Sequence, residues 1–342
     1  MGMNSPVAVI GAGSWGTALA LLLAGKGVNV RLWGHRHEHV AGIRKDRENK
    51  KYLPGYLFPP SLEPTESITE AVAGAGVVCM VVPSHGYRQV FSRVVDVSAD
   101  GTVFISATKG IENDSLKTMT QVMGECVLSE SLALSPVAPL AVLSGPSFAK
   151  EVAQNVPTAI TIGCDDLHIA EELQKLFSTD SFRVYTSNDV VGLEFSGALK
   201  NIIAIAAGIC DGLEFGTNAR AALITRGLAE MTRLGIVLGA ERQTFYGLSG
   251  LGDLVLTCTG ALSRNRHVGI ELGKGKSLDT ILHSMSMVAE GVKTARSVYD
   301  LVQGLDVEMP ILEQVYQILY RDKDCRTAVR DLLGRDLKSE HH

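Results

Sequence analysis

Val7-Ala-Val-Ile10, Gly11-Ala-Gly-Ser-Trp-Gly16 and Thr17-Ala-Leu-Ala-Leu-Leu-Leu-Ala24 follow one another without a break. The first four residues form a short apolar run of the kind found in strands buried on both faces. The Ala/Leu run after the glycines contains no breaker and reads as a helix. A strand, glycines at G-x-G-x-x-G spacing and a helix together make a turn whose backbone N–H groups face an anion. Gly11 permits the tight turn, Gly13 lets a pyrophosphate approach the backbone, and Gly16 lets the helix pack on the strand. The stretch therefore predicts a dinucleotide-binding turn.

Outward from this turn, apolar runs with strand character recur at 28–33, 77–83, 103–107, 140–144, 158–163 and 182–186, separated by helical patterns. Such alternation is the mark of a mostly parallel sheet wound on both faces. After Ser187-Asn188-Asp189, which offers helix caps, strand-like runs stop and helices are expected at 190–209, 219–238, 264–271, 277–283, 291–303, 310–320 and 325–333. The fold class is α/β: a sheet domain over 1–188 and an all-helical domain over 189–342. A chain of 342 residues is long enough for two cores. Its 46% hydrophobic and 20% charged residues exclude a largely disordered chain.

The net charge is −5, and neither half is basic: 15 basic and 19 acidic residues lie before position 190, 17 and 18 after it. Binding of nucleic acid through a broad cationic face is excluded on this ground, while a pocket for one anionic metabolite is compatible. Cysteines at 79, 126, 164, 210, 258 and 325 are at least 38 residues apart, so no C-x-x-C or zinc spacing exists, and reduced thiols are expected. Apolar stretches such as 202–210 fall short of the roughly 18 residues of a membrane span. No signal region is evident, and the expected location is the cytoplasm.

Several segments carry chemistry. The second strand ends in Trp33-Gly34-His35-Arg36, where NAD-binding chains usually place an acid; Arg36 with His35 suits a 2′-phosphate, which favours NADP, with Glu38 the one nearby acid arguing for NAD. His35, His37 and His39 lack a further metal ligand and read as loop residues, so no metal is expected. Lys109 follows the 103–107 strand, and Gly145 and Ser147 follow the 140–144 strand, at the edge where open α/β sheets bind ligands. From Phe195 to Cys210, Lys200 is the only charged residue, and desolvation on so apolar a helix lowers a lysine pKa toward the range useful for proton transfer. Asn201 beside it could frame the same pocket. Asp253 follows Gly250-Leu-Gly252, and Ser263-Arg264-Asn265 puts a capping residue and a guanidinium at a helix start, a site suited to phosphate.

Taken in order, GAGSWGTALA, SATKGIE, LSGPSFA, EFSGALKNIIAIAAGI, GLGDLVLTC, SRNR and VAEGV cover nearly the whole chain and resemble bacterial NAD(P)-dependent glycerol-3-phosphate dehydrogenase. The resemblance implies a Rossmann domain, a helical C-terminal domain, and reduction of dihydroxyacetone phosphate to sn-glycerol 3-phosphate for phospholipid synthesis. It implies that Lys200 is the catalytic acid/base, and that Lys109, Gly145, Ser147, Asp253, Ser263, Arg264 and Asn265 contact substrate. It assigns Ser14, Trp15, His35, Arg36, Lys109, Ala149, Arg264, Val288 and Glu290 to the cofactor, which is NADPH or NADH, with NADPH favoured by Arg36 as read above. The expected partners are the small-molecule substrate and at most a second copy in a homodimer, with no nucleic acid. A 3-hydroxyacid or 6-phosphogluconate type dehydrogenase is disfavoured by GLGD with SRNR. A non-catalytic dinucleotide sensor is disfavoured by the joint presence of Lys200, Asp253 and Arg264.

Overall fold

The computed structural model of the chain describes residues 5–130, 138–285 and 289–340. Strands β1 Val7–Ile10, β2 Val30–Trp33, β3 Leu62–Thr65, β4 Val77–Met80, β5 Val103–Ser106, β6 Leu140–Ser144, β7 Thr158–Cys164 and β8 Phe182–Ser187 form one sheet in the order β3-β2-β1-β4-β5-β6-β7-β8. All neighbours pair in parallel except β6 and β7, which are antiparallel. The order reverses between β1 and β4, and the crevice above their carboxyl ends is where such sheets bind ligands.

Period-two alternation divides β1 between two cores. Val7 and Val9 pack on the face covered by α1 Ser14–Gly25 and α7 Leu167–Phe177. Ala8 and Ile10 pack on the face covered by α3 Ile68–Val72, α4 Tyr87–Val95 and α5 Met119–Glu130. Helices α2 His37–Asp46 and α6 Ala149–Ala153 complete the sheet half. β3 was not expected from the sequence; its Leu62-Glu-Pro-Thr65 includes a proline, which is accommodated because β3 is an edge strand.

From residue 190 to the end, the described residues contain helices and no strand. These are α8 Val190–Gly212, α9 Gly216–Val237, α10 Asp253–Thr259, α11 Arg264–Gly273, α12 Leu278–Ser284, α13 Glu290–Val302, α14 Pro310–Tyr320 and α15 Cys325–Leu333. Neither α10 nor the π-helical turn Leu248–Gly252 that leads into it is among the helices expected from the sequence. Asp189 caps α8: its Oδ1 accepts from the Gly192 N–H at 2.8 Å, and its Oδ2 accepts from the Glu241 N–H at 2.9 Å. Helix α8 is long and apolar enough to cross a membrane by length and composition, yet 89% of its apolar window is buried inside the protein, where it forms the axis of the helical core.

Helix α11 lies against α8 at glycines spaced i, i+4 on both. A Cβ on Gly208 would lie 2.0 Å from the Arg266 carbonyl oxygen, and one on Gly269 2.0 Å from that of Ile205. Only glycine permits this backbone-to-backbone approach. Two buried carboxylates cap other helices from a distance. Glu194 on α8 accepts from the Thr120 N–H at 2.8 Å at the start of α5. Glu230 on α9 accepts from the Ile311 N–H at 2.8 Å at the start of α14. The six cysteines are buried free thiols.

Candidate functional site

Gly11 has φ +133°, and a Cβ there would sit 2.4 Å from the Val81 carbonyl oxygen on the neighbouring segment, so only glycine allows the turn out of β1. A Cβ on Gly13 would meet nothing within 4 Å, whereas one on Gly16 would meet the Gly11 carbonyl oxygen at 1.9 Å. Gly13 therefore borders open space and Gly16 is needed for packing. Gly13 is the N-cap of α1, with no side-chain cap and no acid in the first turn, so the partial positive charge of this helix end is uncompensated. The buried Trp15 indole N–H has no partner among the described residues. An anionic dinucleotide phosphate fits this cradle.

His35 and Arg36 are exposed just past β2, with the Arg36 Nε–H donating to His35 Nε2 at 3.2 Å. Desolvation first, and then the charges of Arg36, His39 and Lys51, hold the His35 pKa below its usual value. That positive field suits an added phosphate. His37 instead bonds Glu66 and His39 bonds Asn49, so the three histidines face different partners.

The chemistry-bearing groups meet at the carboxyl edge of the sheet. β1 and β5 are separated by β4 alone, which puts the ends of β1 and β5 about 10 Å apart. Just past β5, Lys109 Nζ donates to the Gly145 carbonyl at 2.7 Å and to Asp253 Oδ2 at 2.6 Å. Gly145 follows β6, and its carbonyl also accepts from the Ser147 hydroxyl at 3.0 Å. On the other side, Lys200 Nζ lies 3.0 Å from Asp253 Oδ1 and donates to Thr257 Oγ1 at 2.8 Å. One carboxylate thus holds two ammonium groups.

Lys200 is 5% exposed and Asp253 2%. Desolvation lowers the Lys200 pKa to about 8; Asp253 opposes the shift and Lys109 adds to it. The lysine can then give a proton near neutral pH and take one back at slightly higher pH. Two cations against one anion leave a positive excess in a largely buried site, which favours an anionic ligand. Thr257 went unnoticed in the sequence, although Asp253 and Thr257 are four residues apart, on one face of α10.

Ser263 is the N-cap of α11, its Oγ accepting from the Arg266 N–H at 3.2 Å. Arg264 is exposed; surrounding protein lowers its pKa by desolvation, and the Glu290 carboxylate opposes this. Glu290, at the start of α13, accepts from the Ser84 hydroxyl at 2.9 Å and so joins the helical half to the loop after β4. Asn265 is turned inward: it donates to Asn201 Oδ1 at 2.8 Å and accepts from the Gly291 N–H at 3.0 Å. Asn265 therefore fastens α8, α11 and α13 together. Ala149 opens α6, which packs on α1. Val288 lies outside the described residues. Among those residues no three His, Cys, Asp or Glu side chains converge in a way that could hold a metal.

Comparison with known proteins gives concordant results. Residues 6–170 match the family described as NAD-dependent glycerol-3-phosphate dehydrogenase N-terminus, and residues 189–330 match its C-terminus counterpart. The glycerol-3-phosphate dehydrogenase [NAD(P)+] of Desulfotalea psychrophila is 60% identical over 99% of both chains. That of Citrifermentans bemidjiense is 53% identical over 99% of both. The crystal structure of glycerol-3-phosphate dehydrogenase from Coxiella burnetii superposes with TM-score 0.92 at 41% identity, covering 97% of this chain and 99% of that one.

Proposed function

The chain belongs to the NAD-dependent glycerol-3-phosphate dehydrogenase family, and from that premise we propose how its own residues carry out the reaction. It reduces dihydroxyacetone phosphate to sn-glycerol 3-phosphate with NAD(P)H. The observation that carries the residue assignment is the buried Lys200–Asp253–Lys109 cluster at the carboxyl edge of the sheet.

The Gly11–Gly16 turn with Ser14 and Trp15 holds the pyrophosphate, and His35 and Arg36 read the ribose end, with NADPH preferred. Ala149 and Glu290 line the remaining cofactor path. When bound, the cofactor supplies the hydride that reaches the substrate carbonyl carbon. Lys200, as an ammonium, protonates the carbonyl oxygen as it becomes an alkoxide; in the reverse direction neutral Lys200 takes the proton. Asp253 holds both lysines in register. Lys109 stabilises charge growing on the oxygen, while Gly145 and Ser147 orient the substrate. Arg264, with Ser263 and Asn265 at the α11 start, anchors the phosphate.

In this reading the unit boundary falls at 188/189, which limited proteolysis tests, and the product feeds glycerophospholipid synthesis in the cytoplasm. Sedimentation equilibrium tests for a homodimer. The central experiment assays the purified chain with dihydroxyacetone phosphate and each reduced cofactor, with identification of the product. Cofactor binding without turnover would overturn the enzymatic reading in favour of a dinucleotide sensor.

A further inference from the structure

We propose that Asn49 is a positioning residue for the dinucleotide turn: it locks the peptide between Ala12 and Gly13 so that the Gly13 N–H faces the cofactor phosphate. The inference rests on the reading of the Gly11–Gly16 turn as the dinucleotide site.

Asn49 lies in the segment between α2 and β3, far from the glycine motif in sequence, yet it is fully buried, at 0% exposure. Its Nδ2 donates to the Ala12 carbonyl at 3.0 Å and to Thr17 Oγ1 at 2.8 Å. Its Oδ1 accepts from the Tyr52 N–H at 3.3 Å and bonds His39 Nε2 at 2.9 Å. All four hydrogen-bonding positions of the amide are used, which also fixes which end of the amide is which. With Oδ1 already accepting, His39 must carry its proton on Nε2.

The Ala12 carbonyl and the Gly13 N–H belong to one peptide plane. In a trans peptide these two groups point in opposite directions. Anchoring the carbonyl on the Asn49 side therefore aims the N–H away from Asn49, on a residue where a Cβ would meet nothing within 4 Å. Glycine on both sides of Ala12 leaves this segment with little intrinsic preference, because glycine is the residue least restricted in φ and ψ. Thr17, one turn into α1, receives the second Asn49 bond, so the same amide ties the plane to the helix whose N-terminus faces the phosphate. The motif glycines make room for the ligand, and Asn49 supplies the orientation that they do not.

The test compares wild type with Asn49→Asp, which keeps size and both acceptor contacts but loses the donor to the Ala12 carbonyl and to Thr17 Oγ1. NADPH affinity is measured by titrating the fluorescence of the bound dinucleotide, with no turnover involved. The dissociation constant should rise about tenfold, the equivalent of one charge-assisted hydrogen bond. The kcat at saturating NADPH and the KM for dihydroxyacetone phosphate should stay within about twofold. Thr17→Val, which spares the Ala12 contact, should change NADPH affinity much less. If Asn49→Asp does not fold, Asn49→Ala is measured the same way, since it removes the donor without adding repulsion. A folded Asn49 variant that binds NADPH like wild type would overturn the positioning role. Failure of wild type itself to bind NADPH would instead overturn the reading of the turn.

Discussion

Replacing Asp253 with Asn should move the pH dependence of ketone reduction to lower pH. In the wild type, Lys200 titrates at about 8, with burial pulling its pKa down and Asp253 holding it up. In the proposed mechanism reduction needs the ammonium form, so kcat in that direction should be flat below about pH 8 and fall above it, and oxidation, which needs the amine, should show the mirror image. Asp253 Oδ1 lies 3.0 Å from Nζ, and two unit charges at that distance attract by about 5 kcal/mol at an effective dielectric of about 20. That is a ceiling of about four pKa units. The amide still accepts a hydrogen bond and water relaxes around the cavity, which leaves a downward shift of at least about one unit. With the midpoint at about 7, the active fraction at pH 8 drops about fivefold relative to wild type. The assay is kcat for dihydroxyacetone phosphate reduction at saturating NADPH from pH 5.5 to about 10, in both proteins. A midpoint that stays in place or moves upward would refute the field assigned to Asp253.

Lys200→Met, similar in length but uncharged, should lower kcat by at least about 10²-fold with NADPH affinity nearly unchanged; near-wild-type turnover would transfer the acid role to Lys109. The same variant tests linkage: a lysine with folded pKa near 8 against 10.5 unfolded costs stability at pH below about 8, and the cost fades as pH rises toward 10.5. The melting temperature of wild type should therefore gain on that of Lys200→Met between pH 8 and about 10. Arg36→Ala should weaken NADPH far more than NADH in fluorescence titrations; equal losses would show that the 2′-phosphate is read elsewhere. Burial raises the Glu230 pKa to about 7 from 4.5, so its ionisation in the folded state costs stability as pH rises through that range. Glu230→Gln should thus match wild type near pH 4 and exceed it at pH 8 by about 1–3 kcal/mol in urea unfolding, and a deficit at pH 8 would show that the ionised cap outweighs its desolvation.

The sequence made the central strands and the long helices plain because their cues are local: buried apolar runs, a glycine turn, and a capping Asp before an apolar helix. β3 escaped because Pro64 argues against a strand until its place at the sheet edge is known. The π-helical turn before Asp253 escaped because Gly250 and Gly252 read equally well as a loop. Lys200, Lys109 and Asp253 could each be nominated by type and neighbourhood, but that one carboxylate joins the two lysines is a product of tertiary structure. The bond of Asn201 to Asn265 is likewise a product of tertiary structure, since its neighbour in sequence is Lys200. Asn49 carried no motif, and its contact with the turn depends on how the segment after α2 folds back over α1.

The glycine contacts between α8 and α11 make those two helices a ruler. In the proposed mechanism α8 carries the proton donor and α11 opens at the phosphate anchor, and at the glycine crossing there is no side chain to trim or swap so as to slide one past the other. On that assignment, the span from reacting oxygen to phosphate is held by main chain rather than by side chains. Lengthening the substrate by one carbon asks for a different crossing of helices, not a wider pocket, so changes to the lining residues alone should alter affinity long before they alter the length of molecule that reacts.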